Sequence, residues 1–254
     1  MTANEFKLPY PPIVEAILDI ECDLPPGQQI AALEGPAREC YGSRYPKVRT
    51  KLVQEHRFES KNGEPPRLSQ ERQDVWAFQF LTPDEKQLVQ VRAQGYSFNR
   101  LAPYATLDDY LPEIEATWQS YVRLASPVQV KLLRLRYINR IMLPLSAGAV
   151  DLDDYLKLGP RLPEGEKLTL VGFLKQQSAV EVDTKHLVGI VLTGQPPERD
   201  RLPVIFDNWV ASQDRYEPGD WAGILAKIEA LRALKNRIFR KTLTEKCLTL
   251  FQQP

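Results

Sequence analysis

VKLLRLRYINRIMLP (Val130–Pro144) is the longest run of the chain that reads as extended strand, and the one richest in charge. Side chains of a strand alternate between its two faces. Leu133, Leu135, Tyr137 and Ile141 therefore share one side, and Arg134, Arg136 and Arg140 the other. The first side belongs to a core; the second is a row of guanidinium groups. Such a row is either an anion or partner site or half of a salt-bridge ladder, and the choice depends on what lies beside it.

The natural neighbour stands near the start of the chain. IVEAILDIEC (Ile13–Cys22) alternates in the same way, with Val14, Ala16, Leu18 and Ile20 on one side. Glu15, Asp19 and Glu21 occupy the other, with Ile13 and Ile17. If the two strands pair antiparallel, these acids come within reach of Arg134, Arg136 and Arg140. Opposite charges across a ladder contribute about 0.2–1 kcal/mol per pair. Both readings of the arginine row stay open at this point.

Between these strands, Pro25-Pro26-Gly27 turns the chain into a helix carrying Ile30, Leu33, Ala37 and Tyr41, kinked or divided at Gly35-Pro36. Strands are expected at Val48–Glu59, Arg67–Gln73, Val75–Leu81, Leu88–Arg92 and Tyr96–Arg100, separated by the turn-forming SKNGEPP and TPDEK. TLDDYLPEIEATWQSYVRLAS (Thr106–Ser126) then opens with Thr106 and Asp109 at capping-box spacing. It places Ile114, Trp118, Tyr121, Val122 and Ala125 on one helical face, with Pro112 in the first turn.

After the arginine strand, Val150–Leu158 predicts a short helix. Strands follow at Lys167–Lys175, Val180–Val182, His186–Leu192 and Leu202–Trp209. Pro218-Gly219-Asp220 leads into a long helix with Trp221, Ile224, Ile228, Leu231 and Ile238 toward the core. A last helix starts near Thr242, at capping-box spacing from Glu245, and buries Cys247, Leu248 and Phe251.

The order strand, helix, strand meander, long helix thus occurs twice. Leu18 falls on Tyr137, Leu81-Thr82 on Leu192-Thr193, and Phe98-Asn99 on Phe206-Asp207. The expected fold is α+β, with two similar halves, residues 1–127 and 128–254, joined in one compact body about a pseudo-twofold axis. The core is expected to hold Leu18, Ile20, Ile114, Trp118, Leu135, Tyr137, Ile228 and Leu231.

Composition narrows the function. The 254 residues are 43% hydrophobic and 26% charged, with 33 acids against 33 bases, so no basic excess draws the whole molecule to nucleic acid or an anionic membrane. Three cysteines without CxxC spacing and two histidines do not make a common zinc site, so no metal is expected. Neither GxSxG, GxGxxG nor GxxxxGK[ST] occurs. Cofactor-dependent and nucleophilic chemistry are not expected. Asp108-Asp109 and Asp153-Asp154 stand at helix starts, and Arg232, Lys235, Arg237, Arg240 and Lys241 follow a helix toward its C-terminal end, where each sign suits the helix dipole. The N-terminal MTANEFKLPYPP lacks a basic-then-apolar signal, and no apolar run approaches the roughly 20 residues that span a bilayer, so a cytoplasmic protein is expected.

PPIVEAILDI (residues 11–20), LRYINRI (residues 135–141) and IEALRALKNRIFRKTLTEKCLTLF (residues 228–251) together resemble a family of sporadically distributed bacterial proteins, nearly over the whole length. That family has no assigned activity or catalytic residue. Its patchy occurrence resembles that of genes in defence or other mobile modules. The resulting expectation is a non-catalytic accessory or regulatory protein that docks to a protein partner, within a defence or toxin-control module, with Trp209, Arg215 and Tyr216 in and after the FDNW segment as anchors. The alternative is an anion or nucleotide sensor using Arg134, Arg136 and Arg140.

Overall fold

A computed structural model describes residues 8–59, 67–146, 148–163, 168 and 170–252; for 55–59 and 67–72 it describes the backbone. Among the described residues nine strands form one antiparallel sheet: β1 (Ile13–Asp23), β2 (Lys47–Glu59), β3 (Arg67–Leu81), β4 (Gln87–Arg92), β5 (Gly95–Leu101), β6 (Gln129–Pro144), β7 (Leu174–Val180), β8 (Leu187–Gly194) and β9 (Arg201–Ser212). Their order in space is β2-β3-β4-β5-β1-β6-β9-β8-β7. Helices α1 (Glu34–Tyr41), α2 (Leu111–Ala125), α3 (Trp221–Thr242) and α4 (Glu245–Thr249) pack on one face. Strands from before and after residue 127 belong to the same sheet.

The two leading strands meet at its centre. β1 pairs antiparallel with β6, Leu18 opposite Leu135 and Asp19 opposite Arg134. The period-2 pattern sends Leu18, Ile20, Leu133, Leu135 and Tyr137 under the helices, where all are buried. Ile114, Trp118 and Tyr121 of α2 and Ile224, Ile228 and Leu231 of α3 meet them there. Every residue expected in the core is in it. Pro112 lies in the first turn of α2, where its missing N–H removes no helical bond. Asp220 caps α3 by accepting from the Gly223 amide at 2.9 Å.

Several boundaries differ from expectation. The division expected at Gly35-Pro36 falls one residue earlier: a 3₁₀ turn, Ile30–Leu33, precedes α1, and Pro36 lies in the first helical turn. The strands expected on either side of Asp74 are one strand, β3, whose ladder to β2 skips Trp76. Thr106 and Asp109 do bond, Oγ1 to Oδ2 at 3.1 Å, but a turn ahead of α2, which starts at Leu111. The helix expected at Val150–Leu158 shrinks to a 3₁₀ turn at Leu152–Asp154, capped by Asp151.

The strand expected at Lys167–Lys175 touches residues 167 and 169, which lie outside the described residues, as does SKNGEPP. The strand itself runs from Leu174 to Val180, because the β8 ladder holds Leu174 opposite Thr193 and Val180 opposite Leu187. Val171, in the apolar run that suggested the earlier strand, is 97% exposed. The last helix is capped by Thr244, which accepts from the Cys247 amide; Thr242 ends α3. Cys247, Leu248 and Phe251 are buried as expected. No helix among the described residues is long and apolar enough to cross a membrane.

Candidate functional site

The sheet face away from the helices carries the arginine row. Arg134 Nε donates to Asp19 Oδ2 at 3.0 Å, and its Nη2 to Glu21 at 3.4 Å. Asp19 also takes Arg92 Nη1 at 3.0 Å, so one buried carboxylate serves two guanidinium groups. Arg136 was expected within reach of the β1 acids but grips Asp207 of β9, with Nη2 to Oδ2 at 2.5 Å. That carboxylate holds the Arg136 guanidinium above its ordinary pKa. Arg140 pairs with Glu198. Beside them runs a chain of amides: Gln79 to Gln90 at 2.8 Å, Gln90 to Asn99 at 2.9 Å, and Asn99 to Glu15 at 2.7 Å. Each arginine of the row already has a carboxylate, so an incoming anion must compete with it.

Trp209, Arg215 and Tyr216 are not grouped as a loop cluster. FDNW lies within β9, and Trp209 stands opposite Arg136 on the face away from α3 rather than beneath that helix, because period-2 alternation carries it there. Its half-buried ring lies across Gly189. A Cβ added at Gly189 would come 2.1 Å from Trp209 Cε2. Gly189→Ala is expected to cost about 1–3 kcal/mol through this overlap, read as a lowered urea midpoint; an unchanged midpoint would show that the ring is free to move. Arg215 Nη1 donates to Gln129 at 2.9 Å, and the Tyr216 backbone bridges to Val130.

A different site appears under α3. Leu8, Pro11, Pro12 and Ile13 of the lead-in, the Tyr104–Leu107 loop, Tyr137 and Asn139 of β6, and Arg232, Lys235, Asn236 and Phe239 of α3 line a partly open cavity of about 80 Å³. Several ordered waters, or one small molecule, fit such a volume. Lys235 is 8% exposed, and its Nζ sits 3.6 Å from the centre of the Tyr137 ring. This Nζ has no hydrogen-bond acceptor among the described residues. Tyr137 and Tyr104 join hydroxyl to hydroxyl at 2.9 Å. Asn139 Nδ2 donates to the Phe206 carbonyl at 2.9 Å and to the Tyr137 carbonyl at 3.3 Å. Arg232 forks onto Asp108 at 2.7 and 2.8 Å on the rim.

Burial, aided by the charge of Arg232, pushes the Lys235 ammonium down to about 7. Burial likewise holds Tyr137 up to about 12 and raises Tyr104 further, so both phenols keep their protons. The arrangement is a poorly solvated amine, aromatic-faced, beside a bonded pair of phenols that has one O–H left to donate outward.

The sequence contained a signal for Lys235. Ile224, Ile228, Leu231 and Phe239 repeat along α3 at intervals of three, four and eight residues, and Lys235 stands midway in the last interval, on the apolar stripe. Counting it among cations favoured by the helix end missed that phase. Likewise Asp108, expected to complement a helix start, holds Arg232. Among the described residues no group of three or more His, Cys, Asp or Glu is placed to hold a metal. No family model, curated protein or solved structure matches the chain.

Proposed function

We propose that this protein is a non-catalytic accessory protein that binds a small anionic molecule in the cavity beneath α3. The observation that carries the reading is Lys235, a residue 8% exposed on the cavity lining, whose Nζ has no hydrogen-bond acceptor among the described residues. A buried ammonium lacking a partner is costly. An anion in the cavity supplies that partner, and Tyr104 or Tyr137 can donate to it. The sensor reading of the sequence is thereby kept and moved from the arginine row, whose groups are engaged, to Lys235.

A thermal-shift series with acetate, lactate, phosphate and nucleotides tests this. A ligand at about a hundred times its Kd adds about 2.7 kcal/mol to stability. The shift is expected to be larger at pH 6 than at pH 8, because an anion binds the protonated amine, and to vanish in Lys235→Met. No shift with any anion at either pH counts against the cavity as a ligand site.

Partner docking is supported by a separate observation. β2 and β3 pair along their whole length, yet β3 meets β4 only from Ala77 to Leu81. Beyond that point they form a two-stranded ribbon, an arrangement marginal by itself in water. Leu52 on it is 53% exposed. We assign the outer edge of β2, the terminal strand among the described residues, to an extended segment of a protein partner, added as a further strand. Slower amide exchange along β2 in the complex is the expected sign, and unchanged exchange there would remove this edge. The cytoplasmic setting, the defence association and the pseudo-twofold relation of the halves belong to the same proposal, supported by the motifs at residues 11–20, 135–141 and 228–251 and by the order of elements around β1 and β6.

A further inference from the structure

We propose that the molecule held in the cavity is a small 2-oxo acid, captured reversibly at Lys235 as an imine. This rests on the reading of the cavity as a ligand site and adds its chemical class.

The cavity supplies both parts of the chemistry. A lysine becomes a nucleophile when it is desolvated and kept from carboxylates, and Lys235 is buried, faces an aromatic ring and has no acceptor among the described residues. Its lowered proton affinity leaves a large share of neutral amine near pH 7. Tyr104 and Tyr137, whose hydroxyls are 2.9 Å apart and protonated, both line the same cavity. The size also fits: at roughly 10–15 Å³ for each water-sized position, a cavity of about 80 Å³ takes a compound of pyruvate's size. The Arg232 guanidinium on the rim, although forked onto Asp108, supplies positive charge where the carboxylate would stand.

The step balances without an oxidant. The Nζ lone pair attacks the carbonyl carbon, forming C–N, while the carbonyl π pair takes a proton delivered by the tyrosine pair. The resulting carbinolamine loses its hydroxyl as water. Of the two protons on the departing oxygen, one came from the tyrosines, and the second comes from the same pair after it has recovered a proton from the attacking nitrogen. When the remaining nitrogen proton is also released, amine and ketone have become neutral imine and one water. Hydrolysis reverses each bond, so the protein captures and releases its ligand unchanged.

The test uses the purified full chain with pyruvate as probe and borohydride as trap. One reduced pyruvate adduct per chain is expected by intact mass, on the peptide containing Lys235, forming roughly tenfold or more faster than at any other lysine, and absent from Lys235→Met. Adducts spread evenly over the lysines, or none, overturn the imine. Lactate, which lacks the carbonyl, separates the two levels. A lactate shift in melting temperature that Lys235→Met abolishes, with no pyruvate adduct, leaves an anion site and removes the imine. No shift with either compound and no adduct at Lys235 removes both.

Discussion

Lys235→Met is expected to stabilise the ligand-free protein by about 4 kcal/mol at pH 6, or about 10 °C in melting temperature for a chain of this size. Methionine fills the same volume without a charge to desolvate. The sign follows from linkage. Lys235 gives up its proton near pH 7 in the fold, and near 10.4 in the unfolded chain. Between those values the unfolded chain holds a proton that the folded one has lost, so stability rises with pH across that window. Below pH 7 the fold carries the whole burden of the buried charge; above about 10.4 neither state is charged. The advantage of Lys235→Met over the parent should therefore be fullest below pH 7 and disappear by about pH 10.4. Urea unfolding of both proteins from pH 6 to 10 reads it directly. A variant less stable than the parent throughout would make Lys235 a structural residue held by its contact with Tyr137. The expected outcome marks a side chain that stability alone does not favour, which is characteristic of residues retained for binding.

Asp19→Asn is expected to have the opposite effect, a loss of about 3–5 kcal/mol. Asp19 is buried and answers both Arg92 and Arg134. Among the described residues, Arg92, 4% exposed, keeps the Tyr96 carbonyl at 2.9 Å and a distant Trp76 ring once that carboxylate is neutral. A buried charge deprived of its partner is far more damaging than the loss of an exposed pair, for which about 0–1 kcal/mol is usual. Arg140→Ala, whose partner Glu198 stands in solvent, supplies that comparison. Denaturant midpoints of the two variants should differ several-fold in their shift. Equal shifts would show that the β1–β6 charges do not form one buried network, and that the arginine row is held more loosely than its geometry shows.

The sheet's centre was legible because β1 and β6 each bury one continuous apolar stripe, so that a period of two fixes which side chains face the helices. The same holds for α2 and α3, whose Trp118 and Ile228 fall where a period of 3.6 puts them. β7 was not legible. Its residues LKQQSAV are all exposed or half-exposed and carry no stripe, while residues 170–173 of the apolar run just before it are not strand. Its position comes from the β8 ladder, which local pattern does not encode. The partner of Arg136 was hidden for a similar reason. Glu15 and Asp19 lie on an adjacent strand readable from sequence, but Asp207 depends on the register of β9 against β6. The cavity is the least local feature, since the lead-in prolines, the Tyr104 loop and α3 meet only through the closed fold. Lys235 alone announced it, as a charge on an apolar stripe.

The protonation of Lys235 bears most directly on the central claim that this amine is the heart of a ligand site. Selective labelling of lysine Nζ and Cε allows its titration to be followed by NMR in the free protein and with lactate present. Half-protonation is expected near pH 7 in the free protein, and clearly above it with lactate bound, since an anion favours the charged amine. An ordinary lysine value near 10.4, unmoved by lactate or any other small anion, would contradict it.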